Sequence, residues 1–501
     1  MALSKFEQKA YLSREPQWDD IMCGADALGK SPAGMVKETR EVVALARKFN
    51  DEMSKEGFLE MDRKIQENPD YLPEELVKKA SEWGFYTMWI PKLFGGKGYN
   101  LPSFSHFAEE LAANCAAMAN LIGVHYLGMA TLMATWNSRL IVRAMGEVIE
   151  GERTGRPCLI SLALTEPSAG TDIEDVELME KGEMTCHAER VPGGYRVNGS
   201  KVFISNGHLS TWHILFAFSD LKNPSENLVI MAVRTGMKGF SFGRVERKMG
   251  QKACPASELI FKDCHVPDDL VCMNPADMVK RARGRRGSAM QVIDYIFSAS
   301  RAGVCAFGAG VARGAYEDAL QFASETIVCG KRLIDHEWAQ GMLARMRANT
   351  DAARLAYVES NHANSLHGMY KWLQFKPFFY FFKWLPPWFF KKCVRPFLTR
   401  PIGTWILRKI YCDFQTDAEM DRVSGWGSLA KCAGSDAAVA NGRMALEMMG
   451  QAGLRHDASA EKRLRDAKLL QIYEGTNQLN RLNLFKCLIA RSCPGARVFD
   501  D

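Results

Sequence analysis

The sequence predicts an α+β multidomain chain: an N-terminal all-α domain, a middle β-barrel or sandwich, and a C-terminal four-helix bundle. Three observations carry this. Apolar residues recur at three- and four-residue spacing before residue 155 and again after residue 288. Between them, short alternating runs are divided by turn residues. With 501 residues and 24% charged positions, the chain can bury two or three cores. The expected parts are an extension (1–36), an α-helical domain (37–155), a β-domain (156–270) and a bundle (288–501), the last interrupted at 370–411.

The extension is polar and punctuated by Gly and Pro. Its start, MALSKFEQKAYLSREPQWDD, has no apolar signal core, and its acids argue against a transit peptide. A cytoplasm-like compartment is therefore expected. The 14 cysteines are scattered singly, without a C-x-x-C pair, and read as buried thiols in a reducing compartment. No metal is indicated, because Cys264/Cys272 and Cys487/Cys493 lack zinc-site partners at useful spacing.

In the first domain, LPEELVKKASEWGFYTMWIP and SFSHFAEELAANCAAMANLIGVHYLGMATLMATW have helical periodicity. Leu93 to Leu101 is a Gly-rich turn between helices; no strand precedes it, so it is weak grounds for a phosphate site. No window is expected to reach the roughly 18 uncharged apolar residues of a spanning helix, which excludes an ordinary multipass membrane protein.

The β-domain rests on CLISLALTE, GGYRVNGSKVFISN, WHILFAFSD, NLVIMAVRT and SELIFKDCHVP, with turns at Pro192-Gly193-Gly194 and Asn198-Gly199. The loop Ala163 to Asp172 offers the hydroxyls of Thr165, Ser168 and Thr171, either to a flat polar ligand or simply as a turn with a capping Asp. Lys201 to Gly207 offers an aromatic, a hydroxyl and an amide where a strand meets a turn.

Four long helical segments follow residue 288, the inventory of a four-helix bundle. In the last, LRDAKLLQIYEGTNQ, a helix stops near Tyr473 and restarts with Thr476 or Asn477 as cap. Glu474 then projects from the break, with room left by Gly475; the alternative is an exposed loop glutamate.

In their order and spacing, ALTEPSAGTD, KVFISNG, KMGQKACPASELIFKDCHVP and RDAKLLQIYEGTNQ resemble the acyl-CoA dehydrogenases, over roughly residues 40–360 and 413–490. The resemblance implies FAD between the β-domain and the bundle, an acyl-CoA substrate and a 2-enoyl-CoA product. It makes Glu474 the base that removes the α-proton while the β-hydrogen leaves as hydride to flavin N5. A thioester α-proton is weakly acidic, so the enolate needs electrostatic stabilisation and the base gains from a dry pocket that raises its pKa. Some members carry the base immediately before the arginine that is Arg301 here; Ser300 occupies that place, leaving Glu474 as the sole candidate.

By the same resemblance, Leu164, Thr165, Gly170 and Thr171 touch the cofactor. Phe203 stands for the usual tryptophan and Ser205 for a threonine; Glu447, Gly450, Gly453, Thr476 and Gln478 complete the cofactor set. Thr171, Arg301, Tyr473 and Gly475 fall on the substrate side. Two segments depart from the family pattern. R-x-T-F-G, which reaches a neighbouring subunit's cofactor, is here Thr326-Ile-Val328-Cys329-Gly330, and Q-x-x-G-G-x-G begins with Glu447. Losing a charge-assisted pyrophosphate contact costs about 1.5–3 kcal/mol unless replaced. The expected partners are an electron-transferring flavoprotein or membrane redox partner, and a second copy in a homodimer or homotetramer. An acyl-CoA oxidase and a catalytically silent scaffold are the alternatives.

The block 370–411 holds fifteen of the 51 aromatic residues and nine Lys or Arg, with no Asp or Glu. Since the whole chain is +6, the remainder is −3, which excludes a uniformly basic nucleic-acid binder. Readings of the block are a packed core, a protein interface, or attachment to the inner face of an anionic membrane, the last being favoured. The membrane reading places Trp372, Phe375, Lys376, Phe379, Phe382, Lys383, Trp384, Trp388, Phe389, Lys391, Lys392 and Arg395 at that surface. A second basic run, Lys280 to Arg286, reads as a solvated loop, a CoA phosphate contact or a further membrane patch.

Overall fold

The computed structural model describes residues 32–499 except 136, 280–282, 369–370, 373–374, 410–412 and 494. Most of the expected extension, and residues 280–282 of the second basic run, thus lie outside the described residues.

Helices α1 (Ala33–Met53), α2 (Lys55–Glu67), α3 (Glu74–Glu82), α4 (Pro102–Asn114), α5 (Ala116–Thr135) and α6 (Ser138–Arg153) precede the sheet. α5 corrects one expectation: it is long and apolar enough, by length and composition, to cross a membrane. Fifteen of its twenty residues are buried. It is apolar all round because protein surrounds it, the other situation that produces such a helix. Its His125 accepts the Ile160 N–H at 3.2 Å, a bond that requires the neutral ring that burial enforces by pushing its pKa down to about 4.

Strands β1 (Leu159–Ala163), β2 (His187–Val191), β3 (Gly194–Ser205), β4 (Ser210–Phe218), β5 (Leu228–Arg234), β6 (Phe240–Val245), β7 (Ala256–Pro267) and β8 (Val271–Met273) form one sheet. Its order is β6-β7-β3-β2-β4-β5-β8, with β1 paired to β4. β1 runs parallel to β4, Ile160 opposite Trp212, while most other pairs are antiparallel. The sheet is therefore mixed and open, rather than the barrel or sandwich the strand spacing predicts. Spacing counts strands, but it cannot show that β1 skips two strands to find β4.

The longer helices that follow are α7 (Gly284–Glu325), α8 (Glu337–His367), α9 (Lys376–Trp384), α10 (Pro401–Arg408), α11 (Asp417–Met449), α12 (Ser459–Leu470) and α13 (Asn477–Leu484). α7 is the axis, packed on α4, α5, α8, α11 and α12. Glycines set its crossing with α11: a Cβ on Gly308 would lie 2.3 Å from the Gly434 carbonyl oxygen. α11 begins at a capping box in which Thr416 and Glu419 satisfy each other's backbone N–H groups. The fourth predicted bundle segment is two helices, α12 and α13, with the turn carrying Glu474 between them.

The aromatic block lies against the N-terminal domain. Phe379, Phe390 and Leu398 are buried. Lys92 donates to the Lys383 carbonyl at 2.7 Å, Arg395 to the Leu93 carbonyl at 2.6 Å, and Lys383 pairs with Glu38. The block has no acids of its own, yet Glu38 and Glu419 answer Lys383 and Lys371 from outside it. Its other face is open, with Trp384 79% and Trp388 59% exposed, beside exposed Phe375, Phe378 and Phe381.

Candidate active site

α12 stops at Leu470 and α13 starts after Thr476, whose hydroxyl caps it by accepting the Leu479 N–H at 3.3 Å. The chain turns through left-handed conformations at Glu474 (φ 56°) and Gly475 (φ 75°). For glutamate this costs about 1 kcal/mol or more and persists only when its surroundings over-determine it. Here the turn's carbonyls are held. Glu474 O accepts from Asn480 Nδ2 at 3.1 Å and Arg301 Nε at 3.4 Å. Gly475 O accepts from Lys431 Nζ at 2.6 Å and Asn480 Nδ2 at 2.9 Å. A Cβ on Gly475 would stand 2.6 Å from Glu174 Oε2, so any larger residue would displace that buried carboxylate.

The Glu474 carboxylate lines a cavity of about 90 Å³ with Phe104, Leu127, Phe307 and Tyr473. Ser300 donates to its Oε2 at 2.6 Å. Burial pushes Glu474 up to about 7, and the nearby Glu174 carboxylate adds to this; Ser300, Arg301 and Lys431 oppose it. The Glu474 backbone N–H bonds to no described group and remains available as a donor.

Behind the turn lies a buried charge cluster. Arg301 donates to Glu174 at 3.0 Å and to Ser428 at 3.1 Å. Arg301 is 3% exposed and is not among the residues lining the cavity, so it braces the Glu474 turn from behind instead of forming the cavity wall expected of a substrate-side residue. Burial raises the Glu174 pKa in spite of Arg301, and lowers Lys431 to about 8. Tyr473 donates to Gln251 Oε1 at 3.2 Å; Gln251 in turn bonds Asn120 at 3.0 Å and the Asp466 carbonyl at 2.9 Å.

The expected cofactor residues divide into two groups. Near β1 and β3, the Leu164 carbonyl accepts from Lys201 at 2.8 Å and the Thr165 carbonyl from Val202 at 2.9 Å. The Lys201–Glu166 ion pair fixing this loop is wholly buried. Gly170 and Thr171 continue the loop into a short 3₁₀ turn, Thr171–Glu174, which delivers Glu174 to Arg301. The hydroxyls of Thr165 and Thr171 have no protein partner among the described residues, and the Phe203 ring is 58% exposed on a left-handed backbone (φ 57°). An unpaired hydroxyl set beside an aromatic held outward against strain suits a flat polar ring. Ser205 ends β3 opposite Ala256, and Gln478 is exposed on the first turn of α13.

Glu447, Gly450 and Gly453 are not brought to Glu474. Glu447 lies sixteen residues beyond Lys431 on α11, about 24 Å at the rise of a helix. Glu447 and Gly450 are exposed at the far end of the bundle. There the hairpin of β9 (Ile327–Val328) and β10 (Lys331–Arg332) also lies open, above the small core of Leu333, Ala445 and Met448.

Sequence reasoning missed Glu174, Lys431, Gln251 and the Ser300 bond. Gln251 and Glu174 lay in or beside motifs already singled out. Lys431 had no signal, being one lysine in a long helical pattern.

Three family models match the chain: acyl-CoA dehydrogenase N-terminal domain over 36–150, middle domain over 161–264, and C-terminal domain over 287–368 and 414–489. The aromatic block falls in the gap of the last. An acyl-CoA dehydrogenase of Bacillus subtilis is 26% identical over 453 residues, covering 90% of this chain and 98% of that protein. The solved structure of butyryl-CoA dehydrogenase from Megasphaera elsdenii shares the fold at TM-score 0.67 and 22% identity, covering 90% of this chain and 98% of its own. A chain in a structure described as the electron transferring flavoprotein of Acidaminococcus fermentans aligns at TM-score 0.68 and 23% identity, covering 90% and 98%.

Proposed function

Because the chain belongs to the acyl-CoA dehydrogenase family, we propose that it oxidises an acyl-CoA thioester to the 2-enoyl-CoA with Glu474 as the α-proton base. The family makes it an oxidoreductase and a flavoprotein with FAD as cofactor. Thr165, Thr171 and Phe203 are the residues of this chain that would hold the ring side of FAD. FAD, when bound, supplies the acceptor for the hydride leaving the β-carbon.

The observation that carries the reading is the Glu474 turn: a carboxylate held on a strained backbone, in an apolar cavity, with a pKa of about 7. Its pKa lets it be ionised near neutral pH yet still take a proton from a weak carbon acid. The proton moves from the α-carbon to a Glu474 oxygen. Ser300, a donor to the carboxylate before the step, can turn its hydroxyl to accept from the acid afterwards. The open Glu474 N–H would serve as a donor to charge developing on the thioester oxygen. Phe104, Phe307 and Tyr473 give the cavity an apolar wall, where interactions of this kind are stronger than in water. Anaerobic mixing of the flavin-loaded protein with acyl-CoAs tests this: bleaching with 2-enoyl-CoA formation supports it, and no bleaching across straight, branched, cyclic and aromatic acyl groups contradicts it.

The open face of the aromatic block supports a membrane-facing reading. Exposed Phe375, Phe378, Phe381, Trp384 and Trp388 stand beside exposed Lys376, Lys391 and Lys392, a combination suited to burying rings below an anionic headgroup layer. Electrons would then pass to an electron-transferring flavoprotein or to a redox partner at that surface.

A further inference from the structure

A second and larger cavity, about 200 Å³, adjoins the Glu474 cavity. Trp89, Leu101, Tyr126 and Ala130 line both. Beyond that shared wall the larger cavity runs between α5, α6 and the turn after Pro91, and four residues of the aromatic block, Phe379, Phe382, Lys383 and Leu398, line it from the other side. These residues lie between 368 and 414, outside every family model that matches the chain. We propose that this second cavity receives the distal part of a long acyl chain, and that the aromatic block sets the chain length by forming its floor. The proposal rests on the reading of the Glu474 cavity as the thioester end, and deepens it by naming the substrate class.

Chemistry selects the occupant. The polar groups at the rim are already engaged within the protein: Lys92 with the Lys383 carbonyl, Asn100 with Glu38 at 2.8 Å, Ser138 with Thr404 at 2.8 Å. What remains is side chain of Met129, Met133, Ile141 and Phe94 together with the block's rings. An apolar space of this size stays dry and takes apolar ligands. Methionines on its wall can repack around a flexible chain. Phe382 is stacked on buried Phe390 at 5.6 Å, and Arg395 anchors the same segment to Leu93. The floor is therefore fixed to the N-terminal domain from both sides rather than loosely draped.

Each methylene buried in such a space tightens binding about fourfold. Dissociation constants of the flavin-loaded protein for saturated acyl-CoAs from C4 to C18, measured by calorimetry, should fall steadily into the long-chain range. Met133→Trp, which fills the cavity, should weaken hexadecanoyl-CoA at least tenfold relative to butanoyl-CoA. Phe382→Ala, which deepens it, should move the optimum to longer chains. The two variants act in opposite directions, which a merely misfolded protein would not do. A constant independent of length beyond C6, or a Met133→Trp protein with the wild-type long-to-short ratio, overturns the proposal. Flavin bleaching on the same samples separates the two readings. Length-dependent binding without bleaching removes the dehydrogenation reading and leaves the second cavity as a chain site, whereas bleaching with butanoyl-CoA and no gain with length removes only the second cavity.

Discussion

Ser300 Oγ stands 2.6 Å from Glu474 Oε2, across the wall of one cavity and 174 positions apart in sequence. The serine holds the place from which a carboxylate would reach the same space. The contact also means that the serine tunes the Glu474 carboxylate. A hydroxyl donating to a carboxylate stabilises the ionised form, against the burial that raises its pKa.

The pH dependence follows directly. In the proposed role Glu474 must be ionised, so kcat/KM should climb with pH through about 7 and then level off. Ser300→Ala removes a contact that favours the ionised form, so the rising limb should move to higher pH. A limb that moves down, or stays fixed, contradicts the assignment of Ser300. For stability the sign is opposite. The folded pKa lies above the ordinary value of 4.5, so the folded state holds its proton more tightly, and stability from this group falls as pH rises from about 4.5 through 7.

Moving the base is a second test of the same pair. In Glu474→Gly the proton acceptor is gone; adding Ser300→Glu places a carboxylate on the same cavity. The double variant should recover bleaching that the single one lacks. Stopped-flow absorbance reads this, and equal silence in both proteins would show that Ser300 does not face the reacting carbon.

Gly475→Ala should cost activity far beyond its cost in stability. A Cβ there meets Glu174 Oε2 at 2.6 Å, on a backbone with φ 75° that alanine disfavours. The folded state should lose about 1–3 kcal/mol, read by denaturant melts. Turnover should fall at least a hundredfold, since small misplacements of a reacting group are costly. Activity within tenfold of wild type would mean the turn is not what positions Glu474.

Arg301→Met leaves Glu174 buried without its partner, a loss of about 3–5 kcal/mol. The paired change with Glu174→Met should restore most of that stability but not the activity, because the Arg301 contact to the Glu474 carbonyl is also gone. Chemical denaturation of the two variants separates stability from function.

Much of the site was legible before the fold. The short run Tyr473-Glu474-Gly475 carries both the acid and the glycine that makes room for it, and Ser300-Arg301 marks the competing position as vacant. The charge cluster was not legible, because Lys431 reaches Gly475 only through the packing of α11 against α12 and α13, which brings together residues 44 positions apart. The sheet was legible as strands, but its order was not: β1 finds β4 across intervening strands, a choice no local pattern encodes. In the aromatic block, composition located an unusual surface yet could not say which rings face inward. Phe379 and Phe382 turn toward the N-terminal domain because Lys383 and Arg395 are anchored there; Phe378, Phe381 and Trp384 stay outside.

The most direct measurement is the rate of flavin bleaching in Glu474→Gln, loaded with FAD and mixed anaerobically with its best acyl-CoA. Loss of the base should slow bleaching by about 10² to 10⁴-fold while leaving FAD content and acyl-CoA affinity near wild type. Bleaching within tenfold of the wild-type rate would contradict the account, because some other group would then be removing the α-proton.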